Sequence, residues 1–119
     1  MNKKKNCIFC ELISKKSTAI TVDRNSFVII NDKKPDAKKH LLAIPKNHFE
    51  SIYDAKEEDF ETIKDIIKFI ADSASELGVP DGCRLVLNNG EKATQTIFHA
   101  HIHILGGQQL KHMEKNNIE

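Results

Sequence analysis

Apolar and polar positions in this chain repeat with two different periods, and the changes from one to the other mark out its elements. Beyond residue 55 the side chains Phe60, Ile63, Ile67, Ile70, Ala74 and Leu77 recur at alternating spacings of three and four. This is the stripe of a long helix with one buried face. Asp54 with Glu57 supplies a capping box, and Gly78 followed by Val79 and Pro80 supplies the stop. Elsewhere the period is that of strands. Residues 18–31, TAITVDRNSFVIIN, hold two β-branched runs separated by DRNS, which is hairpin chemistry. A third strand is expected at residues 40–44, ended by Pro45, and a fourth at residues 83–88, CRLVLN, with Cys83 in the core. The polar loop NGEKATQT then leads into a fifth, IFHAHIHILGG, at residues 97–107. Residues 8–14, IFCELIS, place Ile8, Phe9 and Leu12 on one side of a short helix. A meander of antiparallel strands with one long helix on its face is an α+β domain with an exposed side or edge. No repeat or linker divides the sequence, so residues 1–119 read as one domain, with residues 1–5 and 111–119 as flexible tails.

Composition narrows the function classes. A chain of 119 residues with 39% hydrophobic and 29% charged residues and a net charge of +1 offers no electrostatic case for nucleic acid or an anionic membrane. The three lysines at residues 3–5 read as a solvated run. No apolar run approaches the roughly 18 residues of a membrane span, and none follows those lysines as a secretory signal requires. The expected location is cytoplasmic. Three cysteines, an odd number, argue against a disulfide framework there and leave metal binding or burial.

The fifth strand carries the chemistry. His99, His101 and His103 occupy alternate positions, so in a strand they share one face while Ala100, Ile102 and Ile104 share the other. The apolar set is expected to pack on the long helix and the histidines to face outward into a site. Neighbouring imidazoles disfavour one another's protonation, which keeps a histidine neutral near pH 7. Neutral, it is a nucleophile; protonated, it holds an oxyanion or protonates a leaving group. Such a row suits attack on phosphorus or metal binding. A second pair, Cys7 and Cys10, forms C-x-x-C. Two thiolates at this spacing can share one tetrahedral ion but need two further ligands; the alternative is a pair of buried reduced thiols. The βαβ context of a thioredoxin-like redox site is missing.

The run HAHIHIL fits the pattern His-φ-His-φ-His-φ-φ, with φ apolar, and resembles the histidine triad (HIT) family of nucleotide hydrolases and transferases. The resemblance extends from CIFCELI through NDKKPDAKKHLLAIPKNH and CRLVLNNG to HILGG. Leu105, Gly106 and Gly107 look most like the Hint branch, whose members hydrolyse nucleoside phosphoramidates and adenylates. The resemblance implies a five-stranded antiparallel sheet with one long and one short helix. It implies that His101 is a nucleophile forming a nucleotidyl-histidine at the α-phosphorus, that His103 supports the phosphate, that His99 orders the site, and that His40 is the fourth histidine near the leaving group. Asn88, Gln95 and Thr96 would contact phosphate and leaving group. Asp32 would accept from the ribose hydroxyls, and Ile8, Phe9, Leu12, Ile30 and Leu42 would hold the base of a purine nucleotide.

In related galactose-1-phosphate uridylyltransferases and some bacterial HIT proteins, such a cysteine pair binds zinc with two histidines; the matching residues here are His48 and His99. Family members form homodimers through the long helix and the fourth strand. Ala93 and Thr94 stand where the Hint pattern has glycines, and because a Cβ restricts positive φ the loop is expected to take a different shape. A dinucleoside polyphosphate hydrolase is the alternative enzyme reading. A nucleotide-binding or zinc-stabilised interaction module with little turnover is the alternative of another class.

Overall fold

The computed structural model describes residues 3–113. The parts of the expected tails at residues 1–2 and 114–119 lie outside the described residues, while residues 3–5 and 111–113 are exposed. The elements are α1 (Ile8–Ser14), β1 (Ile20–Asp23), β2 (Phe27–Asn31), β3 (Lys39–Pro45), α2 (Glu57–Asp72), β4 (Cys83–Val86), a 3-10 turn (Glu91–Ala93) and β5 (Ile102–Gly106). The five strands form one antiparallel sheet in the order β1-β2-β3-β5-β4. The chain is thus not a simple meander: β5 inserts beside β3 and leaves β4 as an edge.

The alternation of side chains decides what each face of the sheet buries. Phe27, Ile29, Leu41, Ala43, Ile102 and Ile104 pack with Ile66 and Ile70 of α2. The alternate positions Val28, Ile30, Leu42 and Ile44 pack with Phe9 of α1. Strands β2 and β3 are therefore buried on both faces and read as continuous apolar runs rather than as alternating ones.

Four local expectations are corrected. The buried stripe of α2 is Asp59, Thr62, Ile66 and Ile70, and Phe60 and Ile67, 46% and 47% exposed, lie outside it. Asp59 takes a core-facing place because its carboxylate accepts from Asn47 Nδ2 and from the Lys56 N–H, each at 2.9 Å. The helix is therefore capped from Asp59. Asp54 instead accepts from the N–H groups of Glu50 and Ser51 and closes the preceding turn. The helix ends at Asp72, short of Leu77, although Ala74 and Leu77 still pack against its core cluster. Cys83 is exposed, because β4 is an edge strand.

Candidate active site

The histidine run enters the sheet later than its alternation suggests. Strand β5 starts at Ile102, so His99 and His101 precede it, and Ala100 donates its N–H to the Phe49 carbonyl at 2.8 Å instead of pairing in the sheet. The histidines do not open outward as a row. His99 is 0% and His101 9% exposed, because α1 covers that face. The Phe9 ring stands edge-on to both imidazoles, with centroids 5.8 and 5.2 Å away.

Obligatory donors and acceptors fix the tautomer of each imidazole. His101 Nδ1 lies 2.8 Å from the His99 carbonyl; a carbonyl only accepts, so Nδ1 carries the hydrogen and Nε2 keeps a lone pair. His40 Nδ1 lies 3.0 Å from the Asp36 backbone N, which only donates, so the hydrogen of His40 sits on Nε2. From there it reaches His103 Nδ1 at 2.9 Å and the Asp32 carboxylate at 3.4 Å. His103 accepts at Nδ1 and therefore carries its own hydrogen on Nε2. Sheet register makes this contact possible: Leu42 is opposite His103 and His40 opposite Leu105, which sets His40 and His103 diagonally on the α1 face. Asp32, His40 and His103 also lie close enough to share a cation. The Asp36 N–H excludes that arrangement, since it occupies the Nδ1 lone pair and leaves Nε2 protonated.

Burial is the main force on the charge of these rings. It holds His101 below the ordinary value. It does the same for His103, helped by the neighbouring His101 and His40 and opposed by Asp32 and Asp36. The site therefore offers a neutral imidazole with a free Nε2 lone pair beside one that presents Nε2–H.

Both rings line a cavity of about 190 Å³ together with Asp32 just past β2, Leu42 of β3, Asn88, and residues 94–97 of the loop before β5. Asp32, Leu42, Asn88, Gln95 and Thr96 are thus gathered as expected, and Thr94 and Ile97 join them. The other residues expected around the base lie elsewhere. Phe9 and Ile30 are buried in the cluster beneath the cavity, Leu12 packs against that cluster, and Ile8, 61% exposed, borders a neighbouring groove with Lys4, Lys5 and Phe98. Of the two loop positions without glycine, Thr94 adopts the left-handed φ 64, ψ 28 and Ala93 does not take positive φ. A larger cavity of about 540 Å³ lies beyond the C-terminal end of β5, among residues 78–84 and 107–110, but it contains no histidine.

Behind the cavity lies the second cluster. His99 Nε2 donates to the Pro45 carbonyl at 2.7 Å, which leaves the Nδ1 lone pair directed at Cys7 Sγ (3.4 Å), Cys10 Sγ (3.6 Å) and His48 Nδ1 (3.1 Å). Cys10 Sγ lies 3.4 Å from His48 Nδ1. Zinc bonds of ordinary length give tetrahedral edges of about 3.4 Å between nitrogens and about 3.6 Å between nitrogen and sulfur, so the four donors fit one such ion. The surroundings suit it. Backbone N–H groups of Lys4 and Cys10 donate to the sulfurs of Cys10 and Cys7. Burial, reinforced by the His48 and His101 charges and opposed by the Pro45 carbonyl, pushes His99 down to about 4 and keeps it neutral as a ligand must be.

An open antiparallel sheet that sets His101 and His103 over one cavity and His99 among two cysteines behind it defines an α+β domain of histidine-triad type. Residues 6–119 match the family model described as scavenger mRNA decapping enzyme C-term binding. An uncharacterized HIT-like protein of Chlamydia muridarum is 44% identical over 82 residues, which cover 69% of this chain and 65% of that protein. The solved HIT family hydrolase from Clostridium thermocellum is 34% identical, covers 93% of this chain and 98% of that one, and superposes with a TM-score of 0.84. A Zn-bound histidine triad family protein from Mycobacterium smegmatis is 31% identical over 87% of this chain and 76% of its own, with a TM-score of 0.74. The chain belongs to the histidine triad (HIT) family.

Proposed function

We propose that this protein is a nucleotide hydrolase that acts at the α-phosphorus of nucleoside 5′-phosphoramidates or adenylates. The observation that carries this reading is the fixed tautomer of His101, a buried neutral imidazole whose Nε2 lone pair is presented beside the Nε2–H of His103. In the first step His101 Nε2 forms a bond to phosphorus as the P–N bond to the leaving amine breaks, the Nε2–H of His103 donates a hydrogen bond to the phosphate oxygen on which charge develops, and the departing amine takes up a proton from solvent that the water of the second step returns. Water then displaces His101 and releases the nucleoside monophosphate. Asn88 and Thr96 contact the phosphate as neutral donors, and Asp32 accepts from the ribose of a purine nucleotide. Zinc, held by Cys7, Cys10, His48 and His99, fixes α1 against His99, whose carbonyl orients His101. The zinc reading is supported by the donor geometry and by the Zn-bound relative.

The molecule works as a homodimer. The apolar residues Phe60 and Ile67 on α2 and Leu85 on the edge strand β4 are exposed in a single chain, and a second copy covers them. The test is AMP release from adenosine 5′-phosphoramidate and from diadenosine polyphosphate by the wild type and by His101→Ala. Loss of rapid phosphoramidate cleavage in the variant is expected. Preference for the dinucleotide would move the protein to the other hydrolase reading, and absence of His101-dependent turnover of either substrate would refute the hydrolase assignment.

A further inference from the structure

Gln95 borders the catalytic cavity, yet its amide is fully engaged by the backbone. Nε2 donates to the carbonyls of Glu50 at 2.6 Å and Ile97 at 3.0 Å, and Oε1 accepts from the Gly90 N–H at 2.8 Å. The side chain is 4% exposed. Around it the loop closes on itself: the N–H groups of Ala93 and Gln95 both donate to the Gly90 carbonyl, and that of Thr94 to Glu91. The residues on either side of Gln95, Thr94 and Thr96, line the cavity.

Thr94 makes this arrangement informative. A β-branched residue at φ 64 is an outlier, and such a conformation persists only where its surroundings over-determine it. The surroundings here are residues 49–52. The Phe49 carbonyl accepts from Ala100, the Ile52 N–H donates to Asn89 Oδ1 at 3.0 Å, and between these two ties the Glu50 carbonyl takes the Gln95 amide. One buried side chain therefore connects the middle of the loop to a segment that is itself held at both ends.

We propose that Gln95 is the positioning residue of this cavity: its amide fixes the loop before β5 against residues 49–52, holds Thr94 left-handed, and so sets where Thr94 and Thr96 meet the phosphate and its leaving group. The assignment rests on the nucleotide reading given above and deepens it. It also divides the substrate in two. At the nucleoside end Leu42 is carried by β3 and Asp32, just past β2, is tied to it through its N–H to the His40 carbonyl, whereas the phosphate end depends on the Gln95 amide.

The test compares the affinities of AMP and adenosine, measured by calorimetric titration, with the turnover of adenosine 5′-phosphoramidate in wild type, Gln95→Ala and Gln95→Glu. The glutamate keeps size and acceptor but, once ionised, loses both donated bonds. Both variants are expected to bind adenosine within about twofold of wild type but AMP about tenfold more weakly, the size of one lost hydrogen bond to a charged group. Their kcat should fall by more than their KM changes. Adding Thr94→Gly to Gln95→Ala should recover part of the loss, since glycine takes φ 64 without strain. Gln95→Met, of similar volume, repeats the comparison if the alanine variant does not fold.

Equal weakening of AMP and adenosine would show a merely structural side chain and overturn the proposal. So would unchanged AMP affinity and kcat. A wild type without His101-dependent turnover refutes the hydrolase reading alone, because the AMP-to-adenosine ratio still decides the role of Gln95. A wild type that binds AMP no better than adenosine overturns both.

Discussion

Phe9 is the side chain through which the first helix reaches His101, the proposed nucleophile, and shortening it to leucine measures what that contact does. The ring is buried and meets His99 and His101 edge-on at 5.8 and 5.2 Å. Each such pair contributes about 0.5–1.5 kcal/mol beyond simple burial, so Phe9→Leu should cost roughly 1–3 kcal/mol. At about 3–6 °C per kcal/mol for a domain of this size, the melting temperature falls by roughly 3–18 °C. Phe27→Leu is the matched control: Phe27 is equally buried and meets Phe69 at 5.6 Å, but in the cluster under α2. Both variants should melt earlier in thermal unfolding followed by circular dichroism. Only Phe9→Leu should also lower kcat for adenosine 5′-phosphoramidate, by about tenfold or more, measured well below either melting point, because the imidazole loses its orientation. Equal kcat for the two variants would refute the view that α1 orients the nucleophile. A rise in KM with unchanged kcat would return Phe9 to a role in holding the base.

Three further outcomes are expected. Cys10→Ser should lower the zinc content of the purified protein, measured by elemental analysis, and chelation should lower the melting temperature of the wild type but not of this variant. Chelated protein should also lose stability in acid. His99 titrates near 6.5 when unfolded and about 4 when folded, so the unfolded chain binds more protons between these values, and stability that is complete above pH 6.5 drops as pH falls toward 4, by on the order of 3 kcal/mol; denaturant midpoints at several pH values read this. Ile67→Asp, which puts a charge on the exposed face of α2, should shift the protein from dimer to monomer in analytical ultracentrifugation while leaving the fold unchanged by circular dichroism.

Much of this molecule is decided by its sequence alone. The 3.6 and 2.0 periods are local properties, so the long helix, the hairpin and the strands at residues 40–44 and 83–88 follow from side-chain type and turn chemistry. The HAHIHIL run and the C-x-x-C pair likewise announce chemistry, because the relevant residue types are packed into a few positions. The tertiary structure decides the rest, since those properties depend on what lies opposite. Phe60 and Ile67 fit the helical stripe as well as Ile66 does, but only packing against Ile29 and Ile104 selects the face that turns inward. Cys83 sits in an apolar run, yet the insertion of β5 next to β3 makes its strand an edge. Alternation gives the three histidines one face; the position of α1 assigns His99 to the cysteines and leaves His101 and His103 at the cavity. No local pattern reports that the Asp36 N–H fixes the proton on His40, or that the Gln95 amide is taken up by Glu50. Each of these is a contact between residues brought together only by folding, and the chemistry of the site depends on them.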